Sequence, residues 1–179
     1  MLINIKHQHG VGLMEVLVAL LVLAIGVLGF IALQYRAVEA TSESTYRVQA
    51  INIARDLAER VRVNRDMLGE ADAEGKYPSG TYMGEIYDAA KQKSSTKNCF
   101  TSNCTTSELA DFDVAQVTTR AQSVGMSMRV IPCQGNSDKR SCVYVAWGDT
   151  SPTDGTGTGD CTNSTSYNPA STCLIMELY

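Results

Sequence analysis

Histidine is nearly missing from this chain of 179 residues: there are two, His7 and His9, and both fall within the first ten positions. Beyond residue 10 this excludes Ser-His-Asp and Cys-His catalysis and any zinc site that uses histidine. No pair of cysteines is spaced C-x-x-C, which argues against a dithiol redox enzyme, and one C-x4-C pair with wider spacings elsewhere is a poor zinc signature. Proline is absent before Pro78. Basic residues are also short, 15 Lys+Arg against 19 Asp+Glu for a net charge of −4, so a dedicated nucleic-acid binder is not expected.

What is present is one long apolar stretch. After Gly10, residues 11–33 read VGLMEVLVALLVLAIGVLGFIAL, with Glu15 as the lone charge. About 20 apolar residues at a helical rise of about 1.5 Å cross a hydrocarbon core. Glu15 sits badly there, since an acid deep in a span costs about 2.5–3.5 kcal/mol on insertion scales and requires a partner. A cut after Gly10 would create one, the new α-amine of Val11, one turn from Glu15. In a bundle, the amine of one subunit would meet Glu15 of the next. Such a cut also removes Lys6 and both histidines.

Gly10, apolar Val11, Glu15 five residues past the glycine, and the long apolar helix together resemble the class III signal of type IV prepilins. The resemblance implies a leader at 1–10, cleavage by prepilin peptidase between Gly10 and Val11, N-methylation of Val11, and an assembly role for Glu15. Val11 stands where that family most often has phenylalanine. Two other kinds of processing compete: signal-peptidase cleavage at Val38-Glu39-Ala40, and an uncleaved anchor. A secretory signal has a shorter apolar core than this one. Lys6 favours a cytoplasmic N-terminus, with the bulk of the chain facing outward.

From Leu13 to about Arg65 the residues favour helix, some 55 of them from Val11 and about 80 Å long. Gly26 and Gly29 allow either local bending or close helix approach. Residues 11–33 form the membrane and polymerisation half, and 34–66 an amphipathic half. Val48, Ile51, Ala54, Leu57, Ala58 and Val61 make the expected apolar stripe. Glu43–Arg47, Arg55–Glu59 and Asp56–Arg60 are spaced for i,i+4 pairs worth about 0.2–0.5 kcal/mol each, on a face read as solvated. The helix is expected to end at 64–69.

Residues 67–179 form the expected globular head. Residues 70–98 read as irregular, punctuated by Gly75, Pro78, Gly80 and Gly84 and basic at Lys91, Lys93 and Lys97, covering one sheet edge. Thr105 or Thr106 caps a helix with Glu108 in its first turn and a stop near Gly125. Within it, Ala110, Phe112, Asp113 and Val114, preceded by a cysteine, resemble the PilV branch of minor pilins, although a tryptophan usual there is absent. Three strands follow, Met126–Pro132, Cys142–Trp147 and Cys173–Tyr179. The first two form a hairpin through a polar turn and the last pairs antiparallel with the second. Residues 148–160 are read as a mobile surface loop.

The six cysteines, all from Cys99 onward, are even in number and point to an oxidising compartment. They allow 15 connectivities; sequence order suggests Cys99–Cys104, Cys133–Cys142 and Cys161–Cys173. The last of these loops resembles the disulfide-bounded region of type IV pilins. Asn103 and Asn163 begin N-glycosylation triplets that are read as background.

The resemblance therefore implies an α+β pilin-like fold, a long helix packed on a small antiparallel sheet, and a type IV pilus minor pilin most similar to the PilV family. With no nucleophile–base set in the residues, no enzyme activity, no cofactor and no metal are expected. The partners that the resemblance implies are other major and minor pilins, prepilin peptidase, the assembly platform of the inner membrane, and lipid before assembly. The chain would sit single-pass in the inner membrane with its head in the periplasm, then in a surface pilus serving twitching motility, adhesion or DNA uptake. A type II secretion pseudopilin and a tethered binding module that never polymerises are the alternatives.

Overall fold

The computed structural model describes residues 12–87, 92, 94–135, 140–164 and 166–178. Two compact units divide the chain, Met1–Ser44 and Thr45–Tyr179. One helix, α1 (Leu13–Val63), runs through the boundary without a break. Its continuity follows from the absence of proline and from a majority of good helix formers, which carry it past Gly26 and Gly29.

In the second unit, α1 buries Ala50, Ile53, Ala54, Leu57 and Val61. This is an i, i+3, i+4, i+7, i+11 stripe, the helical period. It is rotated by part of a turn from the expected one: Val48 is exposed, and Ile51 and Ala58 are only half-buried. A 3-10 turn at Arg65–Met67 follows. The segment expected to be irregular contains a short helix, α2 (Tyr82–Tyr87), whose first five residues are all buried. Gly84 permits it, because a Cβ there would run into the carbonyl of Pro78.

Of the two expected caps, Thr105 starts helix α3 (Thr106–Ser123), and it does so in a capping box. The Thr105 hydroxyl accepts the Glu108 N–H, and the Glu108 carboxylate accepts the Thr105 N–H at 2.8 Å. Gly125, at φ +73°, turns the chain into the sheet.

Strands β1 (Met126–Pro132), β2 (Ser141–Trp147) and β6 (Cys173–Glu177) form an antiparallel sheet in the order β1-β2-β6, with Met128 opposite Val145 and Tyr144 opposite Ile175. The central strand is buried along its whole length. Its alternation explains why: Val143, Val145 and Trp147 join the main core with α1, α2 and α3, while Cys142 and Tyr144 join a second cluster with Cys161.

The second cluster lies against elements that the sequence reading does not anticipate. Residues 148–160, read as a mobile loop, hold β3 (Ser151–Asp154), which pairs in parallel with β4 (Asp160–Asn163); β4 pairs antiparallel with β5 (Ser166–Tyr167). Apart from Cys161, side-chain hydrogen bonds rather than apolar burial hold these strands. Asp154 Oδ1 accepts the Thr162 hydroxyl at 2.7 Å and the Ser164 N–H at 2.8 Å. Asp160 accepts the Thr153 hydroxyl at 2.5 Å and the Gly157 N–H at 2.8 Å, and these two bonds hold its carboxyl below the usual carboxylate range.

The disulfides are Cys99–Cys104, Cys133–Cys142 and Cys161–Cys173, with Cα separations of 5.5, 4.9 and 5.9 Å. The first closes the loop before α3, the second joins the end of β1 to β2, and the third ties β4 to the start of β6.

Candidate assembly site

In the first unit, the apolar segment of α1 covers none of its own surface. Every described residue from Gly12 to Ser42 is exposed, with Leu13 81% and Phe30 61% accessible. Burying a Leu, Ile, Val or Phe side chain is worth about 1.5–3 kcal/mol, so a rod of them demands lipid or other helices. Among the described residues α1 is the one helix long and apolar enough to cross a membrane.

Glu15 is exposed in the first turn of α1, and its N–H donates to the Gly12 carbonyl at 2.9 Å. From Val16 to Leu33 no charged residue follows. Gly10 and Val11 lie outside the described residues. Gly26 and Gly29 have open space where a Cβ would stand. Past the apolar run, Arg36 pairs with Glu39 at 3.1 Å on an exposed face.

In the second unit a polar junction fixes the amphipathic half of α1 to the head. Asp113 of α3, buried at 7% side-chain exposure, accepts Arg60 Nη1 at 2.6 Å and the Tyr82 hydroxyl at 2.7 Å. Arg60 Nε donates to Asp56 at 2.9 Å, and Asn64 donates to the Thr106 carbonyl at 2.8 Å. One carboxylate thus joins three helices. Burial, and then the adjacent Asp113 carboxylate, push the Tyr82 phenol far up, so it stays protonated. Burial alone would lower the Arg60 value, but the hydrogen bonds it donates to Asp56 and Asp113 outweigh it and the net shift is upward.

The face read as solvated is therefore partly an interface. Asp56 does pair with Arg60 as spaced, Glu59 pairs with Arg62 at 3.0 Å, and Arg120 of α3 reaches Asp56 at 3.4 Å. Tyr82 and Asn64 gave no signal in the sequence. Asp113 did, through its place in the PilV-like run, but without its partners.

Comparison with known families fits this architecture. Residues 5–31 match the prokaryotic N-terminal methylation motif, and residues 32–115 match the family described as type IV pilin Tt1218. The first match contains Gly10, Val11 and Glu15; the second contains Arg60, Tyr82 and Asp113. The class is thus a type IV pilin-like chain with an α+β fold, a long N-terminal helix and a disulfide-stapled head. More particularly, a stretch similar to the N-terminal methylation motif is followed by one similar to type IV pilin Tt1218. No curated protein and no solved structure matches the chain.

Proposed function

We propose that the protein is a minor pilin of a type IV pilus, of the PilV type. Prepilin peptidase cuts between Gly10 and Val11, removing the leader 1–10, and Val11 is methylated. Residues 11–33 hold the chain in the inner membrane and later pack in the fibre, residues 34–66 link that segment to the head, and 67–179 form the head. Other pilins and the assembly platform are its partners, and lipid surrounds the apolar segment before assembly. It acts as a structural subunit, not an enzyme, in twitching motility, adhesion or DNA uptake.

One observation carries this reading: an exposed apolar segment of α1 whose single acid, Glu15, lies within a stretch that matches the methylation motif. A neighbouring subunit's α-amine is the simplest answer to that acid once lipid is left behind. The test replaces Glu15 with alanine in the native host and measures the protein in fibres sheared from the cell surface. The expected result is loss from the sheared fraction with the membrane pool retained. Equal amounts of variant and parent in sheared fibres would overturn the proposal. Absence of the parent protein itself from surface fibres would favour a secretion pseudopilus or a tethered module.

A further inference from the structure

A groove of about 300 Å³ opens on the head among Tyr77, Tyr87, Arg129, Gln134, Thr153 and Asp154, none of them part of the Asp113 junction. We infer that it binds a single acidic sugar of the uronic-acid class, through the Arg129 guanidinium and the two tyrosine rings.

Arg129 projects from β1 and lies over the Tyr87 ring, 4.8 Å from its centroid. Among the described residues it has no carboxylate partner within ion-pair distance. Its N–H groups are therefore not held by a carboxylate there, and a guanidinium's N–H groups match a carboxylate in bidentate fashion. Tyr77 and Tyr87 pack against each other, 5.6 Å between ring centroids with planes 50° from parallel, an aromatic edge that the C–H face of a pyranose can meet. Tyr87 is half-exposed, so this surface is reachable.

Hydroxyl chemistry is supplied beside the cation. Asp154 spends Oδ1 on Thr162 and Ser164, while its Oδ2 makes no hydrogen bond among the described residues. That oxygen can accept a sugar hydroxyl, and the Gln134 amide offers both a donor and an acceptor.

The same carboxylate argues against a polyanion. A nucleic acid is held by several cations along its phosphates, whereas the described residues of this groove supply one arginine and one opposing acid. It fits a ligand with one negative charge, several hydroxyls and an apolar ring face.

The test is saturation-transfer NMR on the full chain in detergent, with methyl glucuronide as probe and methyl glucoside and acetate as comparisons. Transfer is expected to the glucuronide ring protons, with the glucoside binding at least about tenfold more weakly for want of the carboxylate. Arg129→Lys, which keeps the charge and the sheet but not the planar fork, should weaken binding, and Arg129→Ala and Tyr87→Ala should abolish it. No transfer to the glucuronide at millimolar concentration, or equal transfer to the glucoside, overturns the inference. So does displacement by acetate at equal concentration, which would mean a bare carboxylate site such as an acidic side chain of a partner protein occupies. Unchanged binding in Arg129→Lys would remove the assigned role of the guanidinium.

Discussion

Arg60 and Asp113 lie 53 residues apart in sequence, yet Arg60 Nη1 stands 2.6 Å from Asp113 Oδ1. The contact pins the amphipathic half of α1 to α3, and the Tyr82 hydroxyl on the other oxygen adds α2 to the same point. Removing one partner of a buried charged pair leaves the other uncompensated. Arg60 keeps 29% exposure and a second partner in Asp56, which softens the loss. Asp113→Ala should therefore cost about 2–4 kcal/mol, and Tyr82→Phe about 1–2 kcal/mol because Asp113 retains Arg60. Thermal unfolding of the full chain in detergent, followed by near-ultraviolet circular dichroism, checks both. A smaller loss in Asp113→Ala than in Tyr82→Phe would contradict the assignment.

Thr118 of α3 is 2% exposed, and its hydroxyl has no hydrogen-bond partner among the described residues. A buried hydroxyl left unpaired costs on the order of 1–3 kcal/mol. Valine has the same shape without the polar atom. Thr118→Val should raise stability by about 1 kcal/mol. A loss of stability in the same unfolding measurement would mean that the hydroxyl is satisfied.

Glu108 supplies a pH-dependent contribution. The Thr105 N–H, followed by Lys97 at 3.1 Å, holds its carboxyl below the usual value of 4.5. With the folded value depressed, this stabilisation is fully present above pH 4.5 and is lost as pH falls through the lower folded value. Glu108→Gln should unfold with a flatter dependence on pH through that acid window than the parent. An identical acid limb in the two proteins would show that the capping carboxylate does not govern it.

The long helix and the main sheet were legible because each rests on a strong local pattern. Leu13–Leu33 is almost continuously apolar, and CVYVAW is β-branched and aromatic on a strand that buries both faces. The rotated stripe on α1 was not legible. Val48, Ile51 and Ala58 also recur at helical steps, and only the position of α2 and α3 decides which face closes. Helix α2 was missed because it is six residues long with Gly84 in its middle, so packing of Tyr82, Met83 and Ile86 rather than propensity sustains it. Strands β3 and β4 were missed because SPTD and DCTN carry no apolar alternation; Asp154 and Asp160 hold them through side-chain hydrogen bonds. At the polar junction, Asp56–Arg60 was visible as an i,i+4 pair. The contact from Arg60 to Asp113 was not, since nothing local reports a partner so far along the chain.

Assembly as proposed rests on the amine that answers Glu15, and mass spectrometry of the N-terminal peptide of protein recovered from sheared surface fibres reads it directly. The expected species begins at Val11 and carries one methyl group on its α-amine. A chain that begins at Met1 or at Thr41 would contradict it.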